Sequence, residues 1–203
     1  MKVIAVTGTP GTGKTSLSKK LAKRMGFYYM DVNRIISKHK LAEGYDKKRK
    51  TKVVDVKKLN KKLIEIIIFF KNHKFIERAL MSRARSTRTL TNLNIKKIIL
   101  NKKSNKNSLK NIKKYNGILI DSHLSHYLPR KYIDFCIVAK CDIKELNGRL
   151  KKKKFDKRKI NENLQAEIFD ICYNEALERK HKIIVVDTTK SINISSIAKK
   201  LGG

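Results

Sequence analysis

The chain has 203 residues, of which 40% are hydrophobic, so it is long enough for one domain with its own core. Fifty Lys and Arg residues stand against 17 Asp and Glu residues, and a formal net charge of +33 attracts polyanions such as nucleotides and RNA. The same charge also fits a lysine-rich surface that is merely solvated, and we weigh the two interpretations equally. No run of 18 uninterrupted apolar residues occurs, and residues 3–6 are too short for the core of a signal peptide, so we predict no contact with a membrane.

A phosphate-binding sequence follows the first apolar run. Residues 8–16 read G-T-P-G-T-G-K-T-S, which fits the pattern G-x-x-x-x-G-K-[ST]. The glycines allow a backbone with positive φ close to an anion. Lys14 would neutralise the β- and γ-phosphates, and the Thr15 hydroxyl would hold Mg²⁺. Residues 3–6 predict a buried strand before the loop, and Leu17, Leu21 and Met25 predict a helix after it, so the phosphates would lie at a helix N-terminus.

Strands and helices alternate along the rest of the chain. Apolar runs predict further buried strands over residues 27–30, 118–120, 135–139 and 183–186. Helical spacing of apolar residues predicts helices over residues 32–40, 59–70, 142–150, 160–180 and 197–201. Part of 59–70 also fits a strand, and residues 44–52 are expected to be a break and a solvated segment. The pattern predicts an α/β fold with a parallel five-stranded sheet and helices on both faces.

The pattern weakens between residues 66 and 114. Residues 101–114 are mostly Asn, Lys and Ser, a composition that cannot bury enough surface to fold alone. We interpret residues 66–114 as a basic insertion with two alternatives. It is either an arm for RNA or a ribosomal surface, or a tolerated insertion without contacts, and we slightly favour the second.

Acidic and histidine side chains follow two of the predicted strands. Asp31 and Asp121 each end an apolar run, and ligands of parallel sheets bind at the carboxyl ends of the strands. We predict that Asp121 holds Mg²⁺ together with Thr15, in preference to a simple turn at the strand end. His123 would orient a water molecule or relay a proton, whereas His126 is expected to be structural.

The three cysteines, Cys136, Cys141 and Cys172, are too few and too irregularly spaced for a zinc site. We predict reduced and mostly buried thiols, which are typical of a cytoplasmic protein.

Several of these motifs together resemble one family. The loop at residues 8–16 is similar to that of adenylate kinases, and the D-S-H sequence at residues 121–123 resembles the D-x-H motif of the adenylate kinase isoenzyme 6 (CINAP) family. Further matches are G-Y-D at residues 44–46, V-D at residues 54–55, and the segment from residue 149 to residue 168. The resemblance covers residues 1 to about 65 and 115 to 190.

The resemblance implies a three-layer P-loop nucleoside monophosphate kinase fold over residues 1–203, with an acceptor-binding region at 31–54 and a lid at 152–161. It implies ATP and Mg²⁺ as cofactors. The implied ATP-binding residues are Gly11, Gly13, Lys14, Thr15, Ser16 and Lys153, the implied metal ligands are Thr15 and Asp121, and the implied catalytic residues are Lys14, Asp121, His123 and Arg149.

The family transfers a phosphoryl group from ATP to AMP, with weak ATP hydrolysis linked to the D-x-H histidine, here His123. It is also linked to late maturation of the small ribosomal subunit through a small-subunit ribosomal protein of universal family eleven, and rRNA is a further expected partner. One rival is an ATP-switched ribosome assembly factor in which transfer to AMP is incidental. A second rival is an RNA-binding protein with a vestigial loop, which the intact Lys14, Thr15 and Asp121 set disfavours.

The chain departs from the family pattern at two places. The lid pattern is similar to R-L-x-x-R-G-Y, but residues 149–155 read R-L-K-K-K-K-F, so that Lys153 replaces the second arginine. Lysine keeps the charge and loses the planar grip on phosphate, which predicts slower transfer. The insertion at residues 66–114 is the second departure.

Overall fold

The computed structural model describes residues 1–47, 51–83 and 115–202. Five parallel strands form the central sheet in the order β2-β5-β1-β6-β7, and β3 and β4 form a separate antiparallel pair. The strands are β1 (Lys2–Thr7), β2 (Phe27–Asp31), β3 (Ala42–Asp46), β4 (Thr51–Val54), β5 (Gly117–Asp121), β6 (Phe135–Lys140) and β7 (Ile183–Asp187). The predicted parallel five-stranded sheet is confirmed.

Helices connect the strands. They are α1 (Lys14–Met25), α2 (Val32–Lys38), α3 (Val56–Arg83), α4 (Ile143–Lys152), α5 (Lys157–Ile168), α6 (Ile171–Glu178) and α7 (Ile194–Lys200), with short 3₁₀ turns at Ser125–Tyr127 and Arg130–Tyr132. Local sequence explains several of their ends. Gly26 ends α1 in the left-handed region at φ 64°. Asp142 begins α4 by accepting hydrogen bonds from the backbone N–H groups of Lys144 and Glu145.

Alternate residues of the buried strands face two cores, which gives the molecule three layers. Val3 and Ala5 pack with α2, α3 and α6 on one face of the sheet. Ile4 and Val6 pack with α1 and α7 on the other face. A third small cluster joins α4 to α5 through Leu146, Leu150 and Ile160. The helices therefore cover both faces, as the sequence predicts for this α/β fold.

The segment predicted as a break and solvated loop forms a hairpin instead. Tyr45 pairs with Lys52 and Asp46 pairs with Thr51 across β3 and β4. Most residues of both strands are exposed, so they lack the alternation of buried and polar residues that marks a half-buried strand in sequence.

One predicted helix is divided in the structure. The helix predicted over residues 160–180 is two helices, because Asp170 takes a left-handed conformation at φ 53° between α5 and α6. Ile168, Ile171 and Leu177, whose spacing predicts one continuous helix, are exposed. The apolar pattern therefore continues across the break although these side chains are not part of the core.

Helix α3 reaches into the segment interpreted as an insertion. It runs without a break from Val56 to Arg83, which settles its 59–70 stretch as helix, and Ile67 and Phe70 are buried in the core. The boundary predicted at residue 66 therefore falls inside a helix that belongs to the fold. Residues 84–114 lie outside the described residues, and their interpretation stays a prediction.

Within the described residues, no helix is both long enough and apolar enough to cross a lipid bilayer.

Candidate functional site

The loop between β1 and α1 has the backbone that the sequence predicts for a phosphate site. Gly8, Gly11 and Gly13 have φ values of 141°, 102° and 84°, which side-chain-bearing residues rarely adopt. A Cβ atom at Gly8 would lie 2.4 Å from the carbonyl oxygen of Ala139. One at Gly11 would lie 2.8 Å from side-chain atoms of α4. Glycine is therefore required both for the conformation and for close packing against β6 and α4.

The first turn of α1 presents the predicted phosphate and metal ligands. Thr15 and Ser16 are exposed, Lys14 is partly buried, and no acidic residue occurs in this turn to repel an anion. Loss of hydration lowers the pKa of Lys14, and the nearby charge of Asp121 opposes that change. Lys153 lowers the pKa of Lys14 further, which places the lid lysine in the electrostatic range of the loop.

Asp121 lies beside the loop because β5 is the neighbour of β1. The register pairs Val6 with Asp121, and Asp31 at the end of β2 pairs with Asp121 on the other side. The Asp121 carboxylate is buried, with 5% of the residue exposed. Tyr29 donates a 2.7 Å hydrogen bond from its hydroxyl to Oδ2 of Asp121.

The remaining oxygen of Asp121 fits a magnesium ligand. Its Oδ1 atom is buried and has no hydrogen-bond partner among the described residues. A buried carboxylate oxygen without a donor or cation is costly, so a ligand is expected there. No group of three His, Cys, Asp or Glu side chains that could hold a metal occurs in the described part of the chain. Mg²⁺ commonly binds to a protein carboxylate together with phosphates and water. The Asp121 carboxylate with the Thr15 hydroxyl fits such a site.

His123 and His126 have different surroundings although both follow β5. His123 is still in contact with solvent. Loss of hydration around its ring and the charge of Lys14 lower its pKa from the ordinary 6.5, so the ring is neutral near pH 7. His126 is buried, with Nδ1 2.7 Å from Oγ1 of Thr7 and Nε2 2.7 Å from Oε2 of Glu175. His126 therefore ties the residue before the phosphate loop to α6, in keeping with its predicted structural role.

Arg149 lies on the opposite side of the loop from Asp121. Its Nη2 atom donates to the carbonyl oxygens of Thr188 and Thr189 at 2.8 and 3.1 Å, and its Nε atom donates to Glu145 at 2.8 Å. Its Nη1 atom would be 3.3 Å from a Cβ atom at Gly13. Arg149 thus holds the segment after β7 against the loop. Contact with a nucleotide stays a prediction, with Nη1 as the donor that faces Gly13.

Thr188 is a residue whose position the sequence indicates only weakly. Its buried hydroxyl donates to the backbone oxygens of Thr12 and Lys140, so it joins the phosphate loop to the ends of β6 and β7. Glu167 is another: it is buried on α5, and its Oε1 atom accepts a 2.9 Å hydrogen bond from the backbone N–H of Cys141. An isolated carboxylate on a predicted helix carries no local signal of such a contact.

The predicted acceptor region at residues 31–54 consists of α2 and the β3–β4 hairpin. Asp31 caps α2 by accepting a 2.9 Å hydrogen bond from the backbone N–H of Asn33. Arg34 is exposed, and its Nε atom lies 3.9 Å from Asp31 Oδ2. Lys52 donates from Nζ to Ser37 Oγ at 2.9 Å and thereby holds the hairpin against α2. An exposed guanidinium beside the strand ends is available to an anionic acceptor.

The predicted lid at residues 152–161 comprises the end of α4, the turn at residues 153–156 and the first residues of α5. Helix α4 ends at Lys152, Asp156 caps α5, and Lys153 and Lys154 are exposed in the turn. Phe155 packs against the small cluster between these helices. The four consecutive lysines therefore lie at the tip of a helical hairpin, where the charge of Lys153 lowers the pKa of Lys14.

Comparisons with known proteins agree with this geometry. The pattern of a family described as "AAA domain" matches residues 4–170. A protein named "Putative adenylate kinase" from Methanocaldococcus jannaschii is 31% identical over 92% of this chain and 76% of its own length. A protein of the same name from Methanosarcina mazei is 31% identical over 92% of this chain and 79% of its own. An "Adenylate kinase isoenzyme 6 homolog" from Dictyostelium discoideum is 24% identical over 91% of this chain and 79% of its own.

Proposed function

This chain belongs to the AAA-domain family and, within it, to the group of proteins named as adenylate kinases, and from that premise we propose that it transfers the γ-phosphoryl group of ATP to AMP or a related nucleoside monophosphate. One observation carries the proposal. Asp121, whose buried Oδ1 has no hydrogen-bond partner in the described part of the chain, lies beside the end of β1, from which the phosphate loop continues to Lys14 and Thr15.

The residues of the cleft divide the work of phosphoryl transfer. The N–H groups of the loop and the Lys14 ammonium bind the phosphates, and Thr15 and Asp121 would hold Mg²⁺. Mg²⁺ would supply positive charge that neutralises the phosphates. Arg149, and Lys153 from the lid, add positive charge around the moving group, and a closed lid excludes the water that would otherwise accept it. Neutral His123 holds a hydrogen bond to the attacking group or to water, which gives the accompanying ATPase activity that we also propose.

The acceptor would bind on the side of β2 and α2. Arg34 is exposed beside Asp31, and Lys38 is exposed at the end of α2. These cations offer the acceptor phosphate a site in line with the phosphate loop, at the same edge of the sheet. A monophosphate is therefore the class of acceptor that we propose, and AMP is the member that the names of the relatives favour.

Acceptor dependence tests the kinase proposal. ADP formation from ATP is measured at steady state with AMP, CMP, GMP or UMP and without any acceptor. We expect AMP to raise ATP consumption several-fold and Lys14→Ala to abolish it, whereas Lys20→Ala, a lysine on the outer side of α1, leaves it unchanged. ATP consumption that is indifferent to every monophosphate would count against the kinase.

The second candidate is an ATP-switched assembly factor for the small ribosomal subunit, working in the cytoplasm. The specific observation in its favour is that two of the three nitrogens of Arg149 are already bound to protein oxygens. In addition, residue 153 is a lysine where the family pattern that the chain resembles has an arginine. Weak transition-state stabilisation suits a slow switch better than a fast kinase. We propose a small-subunit ribosomal protein of universal family eleven, with rRNA, as partner, and the same assay with that protein added or omitted separates the two functions.

A further inference from the structure

One face of the molecule carries positive charge without a compensating acid. Lys20, Lys23 and Arg24 are exposed on the outer side of α1, and this helix contains no Asp or Glu. Residues three or four apart on a helix are neighbours about 5–6 Å apart, so these cations form one cluster. None of the three takes part in an ion pair with any residue in the described ranges.

Helix α7 extends the same charge. It packs against α1, and its range also contains no acidic residue. Lys199 and Lys200 are exposed in its last turn, about 8 Å along the axis from Ile194 at its start. We name the set of Lys20, Lys23, Arg24, Lys199 and Lys200 the basic face.

Some cations elsewhere in the described structure are neutralised locally by an acid, whereas neither helix of the basic face carries one. Ion pairs join Lys58 to Glu43, Lys62 to Glu65, Lys140 to Asp170, Arg149 to Glu145, and Arg158 to Glu162. An unpaired cluster keeps its full attraction for a polyanion and loses no local partner on binding.

A shallow, open groove lies between the α1 cations of the basic face and Ile194 at the start of α7. It has a volume of about 460 Å³ and is lined by Lys20, Lys23, Arg24 and Ile194. The aliphatic stems of the cations and Ile194 give it an apolar floor, and the charged ends stand at its rim. A planar base can stack on such a floor or on the Arg24 guanidinium while the flanking phosphates contact the lysines.

We propose that the basic face binds single-stranded RNA, with one base in the groove at Ile194 and the adjacent phosphates on Lys20, Lys23 and Arg24. This site lies toward the other end of α1 from the nucleotide cleft, and it uses no residue of the segment 84–114. The proposal does not depend on the kinase activity, because it uses no residue placed in the catalytic machinery.

Charge reversal with a matched control tests the site in the full-length chain. One variant carries Lys20→Glu, Lys23→Glu and Arg24→Glu. The control carries Lys61→Glu, Lys131→Glu and Lys180→Glu, three exposed lysines outside α1 and α7, and has the same net charge. Binding of a fluorescent oligouridylate of about 12 nucleotides is measured at several salt concentrations.

We expect the first variant to bind RNA at least about tenfold more weakly and to show a salt slope smaller by about 2, because three phosphate contacts are lost. The control should bind within about threefold of the unchanged chain. Equal weakening of both variants would mean that only net charge matters and would overturn the proposal. ATP turnover unchanged in both variants shows that each is folded.

A second variant tests the groove rather than the charge. Ile194→Ser should weaken RNA binding and leave the salt slope unchanged, because it removes stacking surface and no cation. A competition experiment then compares two competitors for the bound RNA, unlabelled oligouridylate and polyglutamate of the same total charge. Displacement of the RNA by polyglutamate as effectively as by unlabelled oligouridylate would identify an acidic peptide as the ligand and would overturn the assignment to RNA.

Discussion

The two oxygens of the Asp121 carboxylate have different surroundings, and this difference leads to a prediction at the scale of single residues. Oδ2 accepts the Tyr29 hydroxyl, while Oδ1 is buried without a partner in the described structure. Replacement of Asp121 by Asn removes the negative charge that would hold Mg²⁺ and keeps the shape. We expect ATP turnover to fall about 100-fold, with a higher Mg²⁺ requirement, as measured by steady-state kinetics at varied Mg²⁺.

Tyr29→Phe is the matched control for that experiment, because it removes the hydrogen bond to Oδ2 and leaves the carboxylate charged. Loss of one such hydrogen bond should reduce turnover less than about tenfold. A larger effect of Tyr29→Phe than of Asp121→Asn would show that the hydrogen bond, and not the charge, matters at this position.

Lys153 allows a prediction of increased activity. It stands in the turn after α4, and its charge reaches Lys14. An arginine there would grip a phosphoryl group with two donors in one plane. We expect Lys153→Arg to raise the rate of transfer to AMP about three- to tenfold, and Lys152→Arg, at the exposed last residue of α4, to leave it unchanged. An equal change in both variants would exclude a specific role for position 153.

At the scale of elements, His126 connects three of them. It lies in the 3₁₀ turn after β5, contacts Thr7 at the end of β1, and contacts Glu175 on α6. Tyr127 also donates to Glu175 at 2.7 Å, and Arg179 lies 4.3 Å from the Tyr127 ring. Loss of this network should loosen the attachment of α6 beside the phosphate loop.

The pH dependence of stability tests that network. Loss of hydration lowers the pKa of His126 although Glu175 opposes it, and burial also lowers the pKa of the neighbouring His181. The unfolded chain takes up protons near pH 6.5 and the folded chain only at a lower pH, so stability should fall as the pH decreases below about 6.5. Urea unfolding at pH 7.5 and pH 5.5 measures this difference in the free energy of unfolding.

His126→Gln should cost about 2 kcal/mol at pH 7.5, because Thr7 and Glu175 lose a partner, and should reduce the loss of stability on acidification. His39→Gln, at an exposed position, should change the free energy of unfolding by less than about 0.5 kcal/mol. An unchanged pH dependence in His126→Gln would assign the acid sensitivity to other groups.

The same elements show what a sequence can and cannot predict. The phosphate loop, the strand ending at Asp121 and the helix over residues 142–150 were predictable, because each depends on neighbouring residues. The contact between Tyr29 and Asp121 was not, since the two are 92 positions apart and meet only because β2 lies beside β5. The β3–β4 hairpin was missed because exposed strands lack an apolar pattern, and the break at Asp170 was hidden by apolar residues that point to solvent.

At the scale of the whole molecule, positive charge is concentrated in two parts of the chain. One part lies on helices that pack on the sheet, and the other is the segment 84–114, which lies outside the described residues. The basic face lies on α1 and α7, which pack on the sheet. Residues 84–114 add ten Lys and Arg residues and no Asp or Glu. Helix α3 ends at Arg83, and the next described residue, Tyr115, has its ring 5.5 Å from that of Tyr28 on β2. The segment between them can therefore be exchanged without removing a residue known to pack in the core.

Replacement of residues 84–114 by a Gly/Ser linker of about 20 residues tests the functional interpretation of the segment. Such a linker spans about 25 Å on average, and the part of α3 between Phe70 in the core and the end of the helix is roughly 20 Å long. The linker is therefore long enough to return the chain from the end of α3 to the core. We expect ATP binding and the free energy of unfolding to stay unchanged, because Ile67 and Phe70 are retained in the core. If the segment is an arm for RNA, association with RNA or with small ribosomal subunits weakens about tenfold or more, since ten charges are lost.

A second variant keeps the length of the segment and replaces its ten Lys and Arg residues by Gln, which separates charge from length. If association is unchanged in both variants, residues 84–114 are a tolerated insertion, and any RNA binding that remains and is sensitive to Lys20, Lys23 and Arg24 belongs to the basic face.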